Sequence, residues 1–338
     1  MNRYKAVQVP YAKGAFQIVE RELPRPDTGQ VRIKVQACGV CHGDTVVKDG
    51  HMPVQYPRVP GHEVVGLIDA LGSGVSNFKI GQRVGVGWFG GQCFTCVNCR
   101  KGDFFHCSQM QIAGISYDGG YAEAMVIPIS ALASVPEELN SAEAAPLLCA
   151  GVTTFNSLRN TAARAGDTVA VVGVGGLGHM AIQFASKMGY RTVAVSRGKD
   201  KEAMAKKLGA HHYIDTDTQK VSEELQKLGG ANVVLATGTS GKAMTDTLAG
   251  LTARGQLIVI GAPQESLQVS ALQLIPGMKS LAGWASGTAQ DSEDTLNFSA
   301  LTGVKAQIET FPLEKAAEAY DYMMSGKARF RVVLTTGL

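Results

Sequence analysis

The sequence has no block of basic residues, no long apolar run and little net charge. Its 32 Lys and Arg residues nearly balance 29 Asp and Glu residues, for a net charge of +3 over 338 residues. This balance argues against nucleic acid or an acidic membrane surface as the main partner. The most apolar stretch, 168–185, is rich in glycine and contains His179, which is typical of a buried strand, turn and helix rather than of a membrane span. The expected partner is a small molecule.

The first thirty residues lack the apolar segment of a signal peptide, so the sequence predicts a cytoplasmic protein. In a reducing compartment the seven cysteines are better explained as metal ligands than as disulfides. The length of the chain exceeds that of one small domain and predicts two.

The hydrophobic pattern changes along the chain and predicts three segments. Residues 1–149 indicate a β-rich domain of short strands broken by glycine turns, with strands at 31–35, 63–69, 83–87 and 121–127. From residue 142 the pattern becomes helical, with helices at 142–148 and 153–163. Residues 150–286 then alternate strands and helices, with strands at 168–172, 192–196, 212–214, 232–236, 256–260 and 280–283. Such alternation predicts a doubly wound, parallel six-stranded sheet, because parallel neighbours need crossover connections that helices supply. Residues 287–338, with a helix near 314–324 and a strand at 329–334, are expected to return to the first domain.

Four cysteines lie within residues 93–107, namely Cys93, Cys96, Cys99 and Cys107. Four thiolates complete a tetrahedral shell around Zn²⁺ and leave no position for water or substrate, which defines a structural site. A disulfide pair or an iron–sulfur cluster could use similar residues. The surrounding Gly90, Gly91, Asn98 and Gly102 indicate a tight, looping segment and favour zinc.

A glycine-rich loop follows the strand predicted at 168–172. It reads Gly173, Val174, Gly175, Gly176, Leu177, Gly178 and leads into a helical pattern. In this context Gly173 makes the turn, Gly175 lets the backbone approach a pyrophosphate, and Gly178 permits close packing of the helix on the strand. The helix N-terminus attracts the phosphates. The alternative is a glycine-rich turn without a ligand.

The residues after the strand at 192–196 bear on the choice of nicotinamide cofactor. An acidic side chain at this strand end would select NAD(H), but the chain has Ser196 and Arg197, with Lys199 and Lys201 nearby. These cations can form charge-assisted bonds to a 2′-phosphate, so the sequence favours NADP(H) over NAD(H). The alternative is a solvated basic loop.

Three further residues could form a second, open metal site. Cys41, His62 and Cys149 are far apart in sequence, and two thiolates with one imidazole would leave a fourth position vacant for catalysis. Spacing alone is a weak indication, because a lone His or Cys is more often a packed core residue.

Together the motifs resemble one family. G-V-C-H-x-D, G-H-E, the four cysteines, L-L-C-A-G and G-V-G-G-L-G, in this order, are similar to the zinc-dependent alcohol dehydrogenases of the medium-chain dehydrogenase/reductase superfamily, especially the microbial tetrameric and cinnamyl-alcohol-dehydrogenase-like branches. The resemblance implies a GroES-like β-rich catalytic domain and a Rossmann domain. It also implies two zinc ions per chain, hydride transfer between a nicotinamide cofactor and an alcohol, aldehyde or ketone, and a homotetramer or homodimer.

The resemblance also assigns roles residue by residue. Cys41, His62 and Cys149 would hold the catalytic zinc, Glu63 would enter or leave its shell, and Asp44 would orient His62. His42 would lie near the cofactor phosphates, Thr153 near the nicotinamide, and Arg331 on the pyrophosphate. Trp88 would line the substrate pocket. Trp284 is a second candidate for an apolar pocket.

The chain departs from the family at the proton relay. Gly43 stands where the family usually has Ser or Thr, and Val46 where a histidine often follows. We expect the proton to travel through a water in the space left by the missing side chain, or through the hydroxyl of Thr45.

Two rival interpretations use the same residues. Cys38 and Cys41 form a C-x-x-C pair and could act as a thiol-disulfide oxidoreductase, although such motifs usually open a helix and this one ends an extended segment. Alternatively, the chain could be a non-catalytic zinc-binding protein that retains the fold.

Overall fold

The computed structural model describes residues 3–338, which divide into two compact units. The first unit comprises the chain up to Val152 together with Gly287–Leu338, and the second is Thr153–Ser286. The two breaks lie within a few residues of positions 149 and 286, where the sequence pattern changes.

The first unit begins with short strands and turns. Its elements up to residue 144 are β1 (Arg3–Gln8), β2 (Gln17–Glu22), β3 (Gln30–Val40), β4 (Val64–Leu71), β5 (Arg83–Val86), β6 (Phe89–Gly91), α1 (Val97–Arg100), β7 (Gln111–Ile112), β8 (Ala124–Pro128), β9 (Leu132–Ser134) and α2 (Ser141–Ala144). The helix predicted at 142–148 is therefore too long: a 3₁₀ helix, Ala145–Leu148, replaces its second half. Pro146 explains the change, since it has no amide hydrogen to donate to the preceding turn.

The second unit is a sheet wrapped by helices. Its elements, beginning with a helix that crosses the boundary, are α3 (Ala150–Arg159), β10 (Thr168–Val172), α4 (Gly178–Lys187), β11 (Arg191–Ser196), α5 (Glu202–Lys207), β12 (His212–Asp215), α6 (Val221–Lys227), β13 (Ala231–Ala236), α7 (Gly241–Thr245), β14 (Leu251–Val259), α8 (Ala271–Leu274) and β15 (Ser280–Gly283). The strands lie in the order β12-β11-β10-β13-β14-β15 and all pair in parallel, which confirms the predicted Rossmann sheet. Every residue of β10 is buried, as expected for a central strand covered on both faces.

The chain then re-enters the first unit through α9 (Ala289–Thr302), β16 (Ile308–Pro312), α10 (Ala316–Met324) and β17 (Arg331–Thr335). Strand β17 pairs antiparallel with β3, and Val332 lies opposite Val40. This pairing brings Arg331 beside the carboxyl end of β3, next to Cys41. No helix in residues 3–338 is both long and apolar enough to cross a membrane.

Strand β3 is the centre of the sheet in the first unit. It pairs with β4, β8 and β17, and its last four residues, Cys38 to Val40 among them, are all buried. Tyr121, Ile33, Ile68 and Met125 are among the largest side chains of the surrounding core. Because the strand is held on both sides, the residues that follow Val40 start from a rigid support.

Candidate metal and cofactor sites

The four cysteines of residues 93–107 converge on one point. Their sulfur atoms all lie within 4.8 Å of one another, with Cys93 and Cys107 3.5 Å apart and Cys96 and Cys107 3.9 Å apart. A tetrahedral zinc with sulfurs at ~2.3 Å separates the sulfurs by roughly 3.8 Å, so the spacing fits one ion. All seven cysteines of the chain are free, which excludes the disulfide alternative in this structure.

Backbone amides prepare these sulfurs to carry negative charge. The amide of Cys96 donates to the sulfur of Cys93, that of Cys99 to Cys96, and that of Gln109 to Cys107. The Cys99 amide lowers the pKa of Cys96 to about 5, and the hydroxyl of Thr95 lowers the pKa of Cys93 to about 7. Thiolates are the metal-binding form, so these contacts favour metal binding at Cys93 and Cys96, whereas burial raises the pKa of Cys99 to about 12.

A second cluster joins residues that the sequence separates widely. Cys41 follows β3, His62 and Glu63 precede β4, and Cys149 follows the 3₁₀ helix Ala145–Leu148. One ligand atom from each of the four lies within 4.8 Å of the others, and the sulfurs of Cys41 and Cys149 are 3.8 Å apart. Hydrogen bonding from Cys149 and the nearby His62 and Arg331 hold the pKa of Cys41 well below its usual range. The predicted open site therefore exists as a geometric arrangement.

His62 is oriented for coordination by a buried carboxylate. Its Nδ1 lies 3.3 Å from Oδ1 of Asp44, whereas its Nε2 is buried and has no partner among the described residues. Burial alone would lower the pKa of His62, but Asp44 and Cys41 together outweigh burial and raise it well above the usual value. Such a pairing fixes the ring and leaves Nε2 for a metal, as the sequence-based role of Asp44 requires.

Tyr121 is a contributor that the sequence analysis did not identify. Its hydroxyl donates to Oδ2 of Asp44 over 2.9 Å, and the amide of Cys41 donates to the same oxygen over 2.9 Å. Tyr121 lies just before β8 and is fully buried. Nothing in its sequence context distinguishes it from a core aromatic residue, so only the fold reveals this contact.

Glu63 is the fourth member of the cluster and is fully buried. Its Oε1 accepts a hydrogen bond from Arg331, and its Oε2 has no partner in the part of the chain that the structure describes. Oε2 lies so close to Gly39 that a Cβ there would stand 1.9 Å away, which reserves this position for glycine. Burial raises the pKa of Glu63 to about 7, against the lowering effect of Arg331.

Arg331 contacts the open cluster through Glu63. The guanidinium contacts Glu63 and the carbonyl of Val40 and is 7% exposed. Its contact with the pyrophosphate stays a prediction. In the described residues its hydrogen-bond partners are Glu63 of the open cluster and the carbonyl of Val40 beside it.

The C-x-x-C alternative finds no support in the structure. Cys38 lies within β3, is 1% exposed and packs its sulfur against Gly61 and Gly120. Burial raises its pKa well above the usual value, which makes it a poor nucleophile. Cys41 faces Cys149 instead.

Rings fill the space beside Gly43. A Cβ on Gly43 would stand 2.8 Å from Cε1 of His62 and 2.9 Å from Cζ3 of Trp88. Transfer of the proton through a water near this position stays a prediction. Thr45, the other route considered, donates its hydroxyl to the carbonyl of His42 over 2.7 Å, which leaves its oxygen only as an acceptor.

The glycine loop of the second unit has the features predicted for it. Gly173 adopts φ +98°, a Cβ on Gly175 would meet open space, and a Cβ on Gly178 would lie 1.8 Å from the carbonyl oxygen of Gly173. Gly176 and Leu177 complete the turn into α4, whose first amides have no side-chain cap. Thr237, which the sequence analysis missed, donates to the carbonyls of Val172 and Gly173 and fixes the loop.

The other predicted residues occupy varied positions. His42 is exposed in the turn after Cys41, Thr153 is buried in α3, and Trp284 follows β15 with an indole nitrogen that is buried and lacks a partner among residues 3–338. Trp88 contacts His62, with ring centroids 4.9 Å apart at 85°. Ser196 ends β11, Arg197 is exposed, and Lys201 precedes α5.

Comparison with known proteins agrees with this geometry. Residues 27–137 match the model of the alcohol dehydrogenase GroES-like domain and residues 176–301 that of the zinc-binding dehydrogenases. Alcohol dehydrogenase notN of Aspergillus sp. is 43% identical, covering 94% of each chain, and an alcohol dehydrogenase of Geobacillus stearothermophilus is 36% identical, covering 98% of this chain and 99% of its own.

Solved structures show the same relationship. A cinnamyl alcohol dehydrogenase of Sorghum bicolor superposes with a TM-score of 0.88 at 32% identity, covering 98% of this chain and 97% of its own. A Helicobacter pylori enzyme complexed with NADP(H) gives 0.87 at 27% identity (98% of each chain), and an NAD-dependent alcohol dehydrogenase gives 0.89 at 26% (98% and 100%).

The fold and the two clusters define a metal-dependent oxidoreductase with a nicotinamide cofactor. The chain belongs to the zinc-dependent alcohol dehydrogenases of the medium-chain dehydrogenase/reductase superfamily. It is an enzyme that acts on small-molecule alcohols with zinc and a nicotinamide cofactor.

Proposed function

We propose that Cys41, His62 and Cys149 hold the catalytic zinc and that Glu63 supplies an exchangeable fourth ligand. The observation that carries this assignment is the unpartnered, buried Nε2 of His62 beside two sulfurs and a carboxylate, all within 4.8 Å. When bound, the zinc acts as a Lewis acid on the substrate oxygen, and the cofactor accepts or supplies the hydride.

The residues around the cluster orient its ligands and exclude water. Asp44 keeps Nδ1 of His62 engaged, so that Nε2 faces the metal position. Arg331 holds one oxygen of Glu63 and leaves the other free. The burial of His62 and Glu63 keeps bulk water away from these charges, which strengthens each electrostatic interaction.

A substrate screen tests this function directly. Purified protein is assayed with primary alcohols, secondary alcohols and aldehydes against NADP(H) and NAD(H), before and after removal of zinc by a chelator. We expect activity that is lost with zinc and returns on its readdition. Full activity in protein shown to be zinc-free would refute the assignment.

We further propose two zinc ions per chain, one in each cluster. Both clusters have ligand atoms within 4.8 Å and sulfur separations close to those around a single ion. Elemental analysis of the purified protein is expected to give two zinc ions per chain and one in the Cys41→Ser variant. A value of one zinc ion in the unaltered protein would show that one of the two clusters does not hold zinc.

For the cofactor we propose a preference for NADP(H), and with it aldehyde reduction as the favoured direction. Arg197 is exposed after β11, and in the described residues the carboxylate in register with Ser196 is that of Asp215 on the neighbouring strand. That carboxylate accepts hydrogen bonds from the amides of Gly198 and Asp217, so it is already engaged. It is therefore a poor partner for a ribose hydroxyl.

The turn that carries Arg197 is also held in shape. The hydroxyl of Tyr213 donates to the carbonyl of Gly198 over 2.6 Å, while Asp215 accepts from its amide, and Gly198 adopts φ +72°. Arg197→Ala is expected to lower kcat/KM with NADP(H) about tenfold and to leave that with NAD(H) within about twofold, since a single charge-assisted contact is lost. A protein that prefers NAD(H) from the start would refute the preference.

Finally, we propose a homo-oligomer that forms along the open edge of the Rossmann sheet. Strand β15 is an edge strand, and Leu272, Ile275 and Met278 beside it are 77%, 68% and 63% exposed. An exposed strand edge beside apolar side chains is suited to pairing with a second copy. Light scattering should show a dimer or tetramer that Ile275→Lys weakens. A monomer at micromolar concentration would contradict this proposal.

A further inference from the structure

In the turn after Cys41 there is no room for a side chain at position 43, although the φ angle of the backbone there does not require glycine. Gly43 lies in the 3₁₀ turn His42–Asp44 and, unlike 18 other glycines of the chain, does not adopt a positive φ. Its φ therefore does not require glycine. A Cβ there would nevertheless stand 2.8 Å from Cε1 of His62, 3.2 Å from its Nε2 and 2.9 Å from Cζ3 of Trp88.

Both rings are held by their neighbours, although Trp88 is only partly buried. His62 is 2% exposed and is anchored through Nδ1 by Asp44. Trp88 packs against a small apolar cluster with Val47, Ile112 and Ile115 at its centre, and Val46 and Tyr56 pack on the same cluster. The edge-to-face arrangement of the two rings, with centroids 4.9 Å apart, is a favourable aromatic geometry.

We propose that Gly43 and Trp88 act as one coupled pair: the indole, admitted by the missing side chain at position 43, holds the imidazole of His62 in its metal-facing orientation. Trp88 is thus a positioning residue that acts through His62. The proposal rests on the assignment of His62 as a zinc ligand, and it goes beyond a pocket-lining role for Trp88.

The pairing of Gly43 with Trp88 affects how firmly the open cluster holds a metal. A hydroxyl at position 43 cannot be added without displacing one of the two rings. Asp44 fixes the imidazole from one side and Trp88 supports it from another, so loss of the indole should loosen metal binding even though the indole donates no ligand atom.

A double-mutant cycle tests the coupling. Gly43→Ala, Trp88→Ala and Gly43→Ala/Trp88→Ala proteins are loaded with zinc, and release to a chromogenic chelator is followed. The phase belonging to the open cluster is identified as the one that Cys41→Ser abolishes. The four-cysteine phase serves as an internal reference in every protein.

We expect Gly43→Ala to accelerate the open-cluster phase by about tenfold or more, as loss of a supporting contact to a ligand does. In the Trp88→Ala background the same change should accelerate it by less than about threefold, because residues in contact are not additive. Trp88→Phe should keep most of the unaltered rate. Equal acceleration in both backgrounds would overturn the pair.

Phe311→Ala provides the matched control background. This ring packs on Tyr322, outside the four-cysteine lobe, and is not among the nearest neighbours of Gly43 in the described chain, so its truncation should not soften the Gly43→Ala effect. If Gly43→Ala is insoluble, recovery of soluble protein with Trp88→Ala supports the pair, whereas insolubility in both backgrounds overturns it.

Metal binding can be measured without turnover, which separates this proposal from the proposed function. Cobalt-substituted protein reports the ligand field of His62 by visible absorption without any turnover. A protein that binds metal through His62 and shows the coupling, yet oxidises no alcohol, would refute the proposed function and leave the pair intact. An active enzyme in which the effects of Gly43→Ala and Trp88→Ala on zinc release are additive would refute the pair and leave the proposed function intact.

Discussion

The two metal clusters use similar atoms but obtain them in opposite ways. The lobe at residues 93–107 takes all four sulfurs from one short loop and steadies them with its own backbone amides. The open cluster takes its ligands from after β3, before β4 and after the 3₁₀ helix Ala145–Leu148. The first is a local structure, whereas the second exists only when the sheet is formed.

Their surroundings differ as strongly as their origins. The open cluster is enclosed by buried charged groups, Asp44 and Arg331, and one of its donors is a carboxylate with a free oxygen. The lobe has only sulfur donors, and its neighbouring Asp103 and His106 form an exposed pair. A mixed, charged environment allows one ligand to exchange, but four thiolates do not. The same change made in both clusters should therefore have different effects.

The largest effect is expected from Cys41→Ser. It removes a thiolate from the open cluster, and turnover should fall at least about 1000-fold, since the Lewis acid supplies several kcal/mol to the transition state. Steady-state kinetics and zinc content measure the result. Turnover that falls less than tenfold while zinc is lost would place the chemistry elsewhere.

Cys99→Ser is the matched change in the lobe. Cys99 is 5% exposed and belongs to the site that we propose holds a structural zinc, so we expect a loss of about 3 kcal/mol in the free energy of unfolding. This corresponds to a melting temperature lower by about 6 to 12 °C. Turnover per folded molecule should stay within about twofold. Selective loss of turnover in a protein of normal stability would erase the distinction between the clusters.

A smaller effect is expected from Asp44→Asn, which weakens the support of His62. Zinc affinity of the open cluster should fall about 10- to 100-fold, as for other residues that orient a ligand histidine. Asp103→Asn is the control, because it makes the same change in a histidine–carboxylate pair that is solvent-exposed. Chelator competition measures both. Equal losses of zinc affinity in Asp44→Asn and Asp103→Asn would show that the buried contact between Asp44 and His62 does not support zinc binding.

The smallest effect is expected from Tyr121→Phe. It removes one hydrogen bond to Asp44 and preserves the ring in the core, at a cost of about 1 kcal/mol. Zinc affinity should fall a few-fold, with little change in the four-cysteine lobe. The two release phases can be compared in a single experiment, and an effect on the lobe phase alone would contradict the contact.

Much of the fold was predictable because its patterns are local. Six strands with intervening helices predict a parallel sheet, and the glycine loop between β10 and α4 predicts a dinucleotide site. The spacing of the four cysteines predicts a single-ion lobe in the same way. The end of the helix at 142–148 was misjudged, because the pattern of apolar residues outweighed Pro146.

The contacts of the open site and of the turn after β11 were less predictable. Family motifs named Cys41, His62 and Cys149, but no pattern points to Tyr121, Gly39 or Asp215. Each of these residues acts by lying opposite a residue more than fifteen positions away. A pairing across the fold has no signature in a sequence window.

The sequence by itself determined the metal lobe, the cofactor loop and the class of enzyme, since the residues that carry them are close together or occur in a recognisable order. Only the tertiary structure decided how His62 is held. Strand pairing sets Arg331 against Glu63, core packing sets Tyr121 against Asp44, and Gly43 leaves room for Trp88. The physical reason is that these contacts are steric and electrostatic relations between distant segments, which exist only after the core has formed.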